Sequence, residues 1–217
     1  MGAGSVEGFP EEWGARYRLM TAMADAVAEC GYEGATVEEV VRRSGLRYEQ
    51  FHKHFADTEQ CFLALYTVSV EFILLRMARA FQREGDWLLG LRAAFSALFV
   101  CLAEHPETTR ACFSDLSFAG AGPRRAREEA LQRFAAFVSL CRAGAPCGAM
   151  APTALDQALA GGLHHVVSSR VRAGRIDDLP ELALPMAETV FKCFRGEVPP
   201  PVDRGERVAR APSVHPA

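Results

Sequence analysis

The chain has 217 residues, of which 49% are hydrophobic and 24% charged. This composition belongs to a folded protein with one large core or two smaller ones, and it excludes a disordered or fibrous chain. The formal net charge is −3, so there is no global basic field and any contact with nucleic acid must come from a local patch.

The sequence reads as almost all helix, because apolar residues recur at 3.6-residue spacing and β-branched alternation is scarce. A first helix is expected over Glu11–Cys30, with Leu19, Met23, Ala26 and Cys30 on one face and Gly31 as its stop. A short second helix follows over Val37–Ser44. Thr36 is its N-cap, and Glu39 three residues later completes a capping-box pattern. Gly45 breaks the chain before a third short helix over Tyr48–Phe55. Asp57 caps a fourth helix carrying Phe62, Leu65, Phe72, Leu75 and Met77 toward Phe81.

Beyond the Gly85–Asp86 turn the helices lengthen. They are expected over Trp87–His105, ended by Pro106, then over Thr108–Phe118, Arg124–Arg142, Pro152–Ala173 and Pro180–Arg195. Loops are read at Gly120–Pro123 and Gly144–Pro152. The proline-rich stretch 197–217 reads as a disordered tail. The fold class is therefore all-α, with a three-helix N-terminal module over 11–58 and a larger helical body over 59–196.

Several absences narrow the chemistry. The first residues lack a basic region followed by an apolar stretch, so no signal peptide is read. No apolar run is read as approaching the roughly 20 residues that span a bilayer, so the protein is expected in the cytoplasm without a membrane partner. The seven cysteines are odd in number, form no CxxC pair and fall mostly at apolar helical positions, which suits a reducing compartment. Cys141 and Cys147 flank a loop and admit a redox switch, with packing as the simpler role. No nucleophile–base motif, phosphate loop or metal-ligand spacing is present, so no enzyme, cofactor or metal is expected. The adjacent His164 and His165 point about 100° apart on a helix and do not easily share one ion.

The informative segment is Thr36–Phe55, TVEEVVRRSGLRYEQFHKHF. Helix, glycine turn and second short helix form a helix-turn-helix pattern. Val37, Val40, Val41, Leu46, Phe51 and Phe55 can pack inward, leaving Arg47, Tyr48, Gln50, His52, Lys53 and His54 on a face able to enter the major groove. Between Arg42 and Phe55 four basic residues face one acid. Across Glu11–Gln60 ten acids outnumber six basic residues, so non-specific affinity for DNA should be weak.

The stretch CGYEGATVEEVVRRSGLRYEQFHKHFADTEQCFLALY resembles the N-terminal signature of the tetracycline-repressor (TetR) family, with glycines, apolar positions and the His-Phe pair in register over Tyr17–Tyr66. The later AGPRRAREEALQRFAAF is similar, more loosely, to ligand domains of actinobacterial members. The resemblance implies a homodimer that binds a palindromic double-stranded operator and a small-molecule effector. The effector usually releases the DNA, which would make the protein a repressor. It assigns Thr36 and His52 to phosphate, Tyr48 and Gln50 to bases, and Lys53 and His54 to further backbone positions. Arg47 stands where a serine-like cap is usual, Thr58 where a lysine is usual, and Glu49 adds an acid beside the DNA-facing surface. These departures support an alternative: a TetR-like ligand- or partner-binding protein with weakened or lost DNA binding.

In the body, Phe95, Phe99, Phe113, Phe118, Phe134 and Phe137, with His164 and His165, are candidates for lining a hydrophobic pocket, against a plain core role. Gly161 and Gly162 each cost a helix about 1 kcal/mol relative to alanine. With Val166, Met186 and Val190 they are candidates for a dimer interface between the last two helices, which the resemblance implies form a four-helix bundle.

Overall fold

The computed structural model describes residues 11–113, 120–145 and 154–195, and nothing of the side chains of residues 11–13. Phe118, Cys147 and the tail over 197–217 lie outside the described residues. Among the described residues every regular element is helical.

Helices α1 (Glu11–Gly34), α2 (Val37–Ser44) and α3 (Tyr48–His54), with the first half of α4 (Thr58–Arg83), enclose one core. Leu19, Met23, Val40, Phe51 and Phe62 are fully buried there. Local chemistry sets the boundaries. Gly31 sits at φ 74°, ψ 171° and breaks α1 one turn before its end. The Thr36 hydroxyl accepts the Glu39 N–H at 3.3 Å and starts α2. Gly45 ends α2 in the left-handed region at φ 64°. The Asp57 carboxylate accepts the Gln60 N–H at 2.8 Å and starts α4.

A second core is built by the rest of α4, α5 (Trp87–Glu104), α7 (Ala121–Ala143), α8 (Ala154–Arg172), a 3-10 turn (Leu179–Leu182) and α9 (Ala183–Phe194). Asp86 caps α5 by accepting the Leu89 N–H at 2.9 Å. Trp87 Nε1 donates to the Cys141 carbonyl at 2.8 Å, fixing the start of α5 to the end of α7. Arg142 grips the buried Asp156 carboxylate through two hydrogen bonds of 3.0 and 2.9 Å, tying α7 to α8. The short α6 (Pro106–Phe113) packs against both α1 and α8, so it joins the two cores. Phe113 and Phe134 pack against both.

Three expectations are corrected. Helix α7 starts at Ala121, so Gly122 and Pro123 form its first turn rather than a loop. Proline is tolerated there because a first-turn N–H has no helical partner. Pro106 opens α6 at once instead of only ending α5. Thr109 Oγ1 then donates to the Leu102 carbonyl at 2.8 Å across that junction. Finally, α4 and α5 are each long and apolar enough to cross a bilayer by length and composition, contrary to the reading that no such run exists. In the fold these two helices pack against each other.

Candidate functional site

Helix α3 divides into two faces. Phe51 is 0% exposed and Phe55 2%, so this side locks the helix onto the first core. Arg47, Tyr48, Glu49, His52 and Lys53 are exposed on the other side, with Gln50 and His54 half-buried between. Thr36 is exposed at the start of α2. The structure thus brings all seven of the residues expected to face DNA onto the α2–α3 pair. Thr58, the first residue of α4, is half-buried.

The start of α3 is held in an unusual way. Arg47 occupies the cap position but has no acceptor to offer. Gln50 reaches back instead, and its Oε1 accepts the Arg47 N–H at 3.1 Å. This is the reciprocal half of a capping box. This bond uses one of the two lone pairs of Gln50 Oε1 and leaves both amide N–H donors unengaged by it. At the other end, Arg16 of α1 donates to the His54 carbonyl at 3.3 Å and lies 4.5 Å from the Phe55 ring centre. Arg18 donates to the Ser44 carbonyl at 2.5 Å, at the end of α2. The two arginines of α1 thus hold the ends of α2 and α3, and nothing in their spacing singled them out.

The local positive charge is smaller than the sequence suggests. Arg42 and Arg43 both bind Glu39 at 2.6 Å, and Arg43 also binds Glu29 at 2.6 Å. Their hydrogen bonds hold the Glu39 carboxyl down at about 2 and so keep it ionised. Arg47 and Lys53 remain as the cations on the exposed face of α3. Beside them, Glu38 lies close enough to Tyr48 that burial and this carboxylate together raise the phenol pKa.

Behind this module lies a cavity of about 270 Å³. It is bounded by α4, α5, α6, α7 and α8, and also by Tyr17, Met20 and Thr21 of α1. Of the expected pocket residues, Phe113, Phe134 and His164 line it. Phe95 and Phe99 are instead buried in the second core, 6.3 Å apart and stacked. Phe137 packs against that core outside the cavity wall, and His165 is exposed. Tyr66, Thr109 and Cys112 line the cavity and were not singled out by sequence reasoning. Their signal was the unexpected one: polar groups at buried helical positions.

Gly161 and Gly162 are exposed on α8, and a Cβ added to either meets open space. Val166 and Met186 are half-buried. Val190 is only 2% exposed and packs inside the protomer core. Its side chain is therefore not on an outer face, because α9 turns it toward the second core.

No protein-family model and no curated protein matches the sequence. Solved structures do. The chain is similar to the fatty acid degradation regulator FadR from Bacillus halodurans, at 18% identity and a TM-score of 0.74, over 81% of this chain and 94% of that one. It is similar to FadR from Bacillus subtilis in complex with stearoyl-CoA, at 16% identity and a TM-score of 0.69, over 80% and 96%. It is also similar to a TetR family transcription regulator from Marinobacter aquaeolei VT8, at 21% identity and a TM-score of 0.63, over 83% and 96%. The fold is that of the TetR-family transcriptional regulators.

Proposed function

We propose that the protein is a homodimeric DNA-binding transcriptional regulator, a repressor whose hold on its operator is released by a small, largely apolar molecule. One observation carries this reading: α3 is locked onto its core by Phe51 and presents Arg47, Tyr48, His52 and Lys53 to solvent, at the size and polarity that suit a major groove. Residues 11–58 would then bind DNA and 59–196 would hold the ligand and the dimer contact. The small outer face of α8 around Gly161 and Gly162 suits close approach by a second copy.

The coupling route follows from the wall of the cavity. Because Tyr17, Met20 and Thr21 line it, an occupant touches the first helix of the DNA module directly. That helix holds the turn of the helix-turn-helix through Arg18 and its far end through Arg16. A ligand that fits only one setting of α1 shifts the population of reading-head positions. The Bacillus subtilis neighbour was solved in complex with stearoyl-CoA, whose acyl chain is a precedent for a bound apolar chain in this fold.

The pairing of Arg42 and Arg43 with acids, and the acid beside Tyr48, favour a second reading in which DNA binding is weak or lost. Selection of bound duplexes from fragmented genomic DNA decides between them. The regulator reading expects enrichment of an inverted repeat with half-sites about one helical turn apart. Recovery of no sequence above background, from folded dimer at low salt, supports the second.

A further inference from the structure

The cavity wall carries a chemical bias that goes deeper than apolarity. Among the described residues it contains no Asp, Glu, Lys or Arg. Much of its polar inventory is already engaged within the protein. Thr109 Oγ1 donates to the Leu102 carbonyl and Ser69 Oγ to the Leu65 carbonyl, both at 2.8 Å. His105 Nδ1 lies 2.9 Å from the Cys101 carbonyl.

Two groups stand apart. Tyr66 is only 5% exposed, lines the cavity, and its hydroxyl makes no hydrogen bond among the described residues. The His164 ring lies 5.3 Å from that of Phe113, and its Nδ1 is at the outer limit of hydrogen bonding to Ser168 Oγ, at 3.5 Å. A phenol hydroxyl at the cavity wall offers its O–H to an acceptor on a ligand.

We propose, on the reading that this cavity is the effector site, that its ligand is an uncharged amphiphile whose hydroxyl or carbonyl oxygen meets Tyr66 and His164. An anionic headgroup placed there would lose its hydration with no ionised partner in the wall. Burial acts in the same direction on the wall itself. It raises the Tyr66 phenol, pushes the Cys112 thiol up to about 12 and lowers the His164 imidazole, so all three are neutral near pH 7. Arg127 is the cation whose field reaches Tyr66 and His164, but it is not part of the wall. The entrance is apolar too: Tyr17, Val68 and Phe72 are each about half exposed at the rim. The Arg76 guanidinium beside Phe72 is paired with Glu104 at 3.1 Å. A thioester of coenzyme A would thus bring its phosphates to a rim where the guanidinium beside Phe72 is already paired with an acid. In size, the cavity exceeds the ~150 Å³ that suffices to hold benzene, so a medium alkyl chain is the matching scale.

The test is calorimetric titration of the full-length protein at pH 8 with 1-decanol, decanoate and decanoyl-CoA. Decanol is expected to bind at least ten times more tightly than decanoate, with no saturable binding of decanoyl-CoA. Tyr66→Phe, which keeps the ring and the packing, should weaken decanol about three- to tenfold, the value of one neutral hydrogen bond. Equal or tighter binding of decanoate or decanoyl-CoA overturns the proposal, as does binding that is lost in Arg127→Ala but kept in Tyr66→Phe. Failure of all three probes to bind overturns it as well. The duplex selection described above is independent of this titration. A protein that selects an inverted repeat but prefers decanoate refutes only the uncharged ligand. One that binds decanol and no DNA refutes only the regulator.

Discussion

The acids around α3 matter as much as its cations. Glu38 faces Tyr48, and Glu49 is exposed on α3 itself. Each places negative charge where phosphates would approach, and phosphate neutralisation dominates affinity. Glu38→Gln is expected to tighten binding to operator and unrelated duplex alike, by several-fold at low salt, as read by fluorescence anisotropy. His164 gives a second prediction at this scale. Burial is the largest cause of its lowered pKa, followed by Arg127 from α7 and by His165 and Arg172 on its own helix, while Phe113 of α6 covers the ring. The unfolded imidazole has its ordinary value near 6.5. Below that pH the unfolded chain binds a proton that the native chain resists, so native stability falls as pH drops through 6.5. Thermal melts at pH 7.5 and 5.5 should show a smaller acid loss for His164→Gln than for the parent protein.

Helix ends show what the sequence discloses and what it conceals. The caps at Thr36, Asp57 and Gly45 were legible because each uses its own side chain, or its lack of one, within three or four residues. The Gln50 back-bond also obeys that spacing, yet Arg47 obscured it, since the expected partner residue was absent. The start of α7 was missed because glycine and proline read as loop formers, although both are at home in a first turn. Gly45 offers the cleanest test of the turn between α2 and α3. A side chain there must adopt φ 64° and meets Arg18 Nη2 at 3.3 Å. Gly45→Ala is expected to cost about 1–2 kcal/mol in urea unfolding. Loss of DNA binding should accompany it, because Arg18 also holds Ser44.

At the scale of the molecule, two cores meet at α6 and at Phe113 and Phe134, and the cavity lies at that junction. The all-helical class was legible from periodicity, whereas the first core takes in Cys61, Phe62, Leu65, Ala111 and Ala130, beyond the module read over 11–58. The cavity wall was only half legible. Periodicity reports that Phe95 and Phe99 are buried, but not whether a buried face meets a neighbour or an empty space. That distinction depends on how helices from both modules converge, and α1 enters the wall from more than forty positions upstream of α4's last lining residue, Ile73. The outer face of α8 makes the remaining prediction. Since a Cβ at Gly162 meets open space within the protomer, Gly162→Leu should leave the fold intact. Sedimentation should nonetheless show a weakened dimer, and an unchanged dimer would move the interface elsewhere.

The measurement that bears most directly on the central claim is anisotropy of a fluorescent duplex from the DNA flanking the protein's own gene, across a salt series, with an unrelated duplex as control. The regulator account predicts selective binding that falls steeply with salt. It further predicts that Lys53→Ala weakens both duplexes and flattens the slope by about 1 per phosphate contact removed. A folded dimer that binds both duplexes equally, or neither, even after duplex selection from the genome, would contradict it.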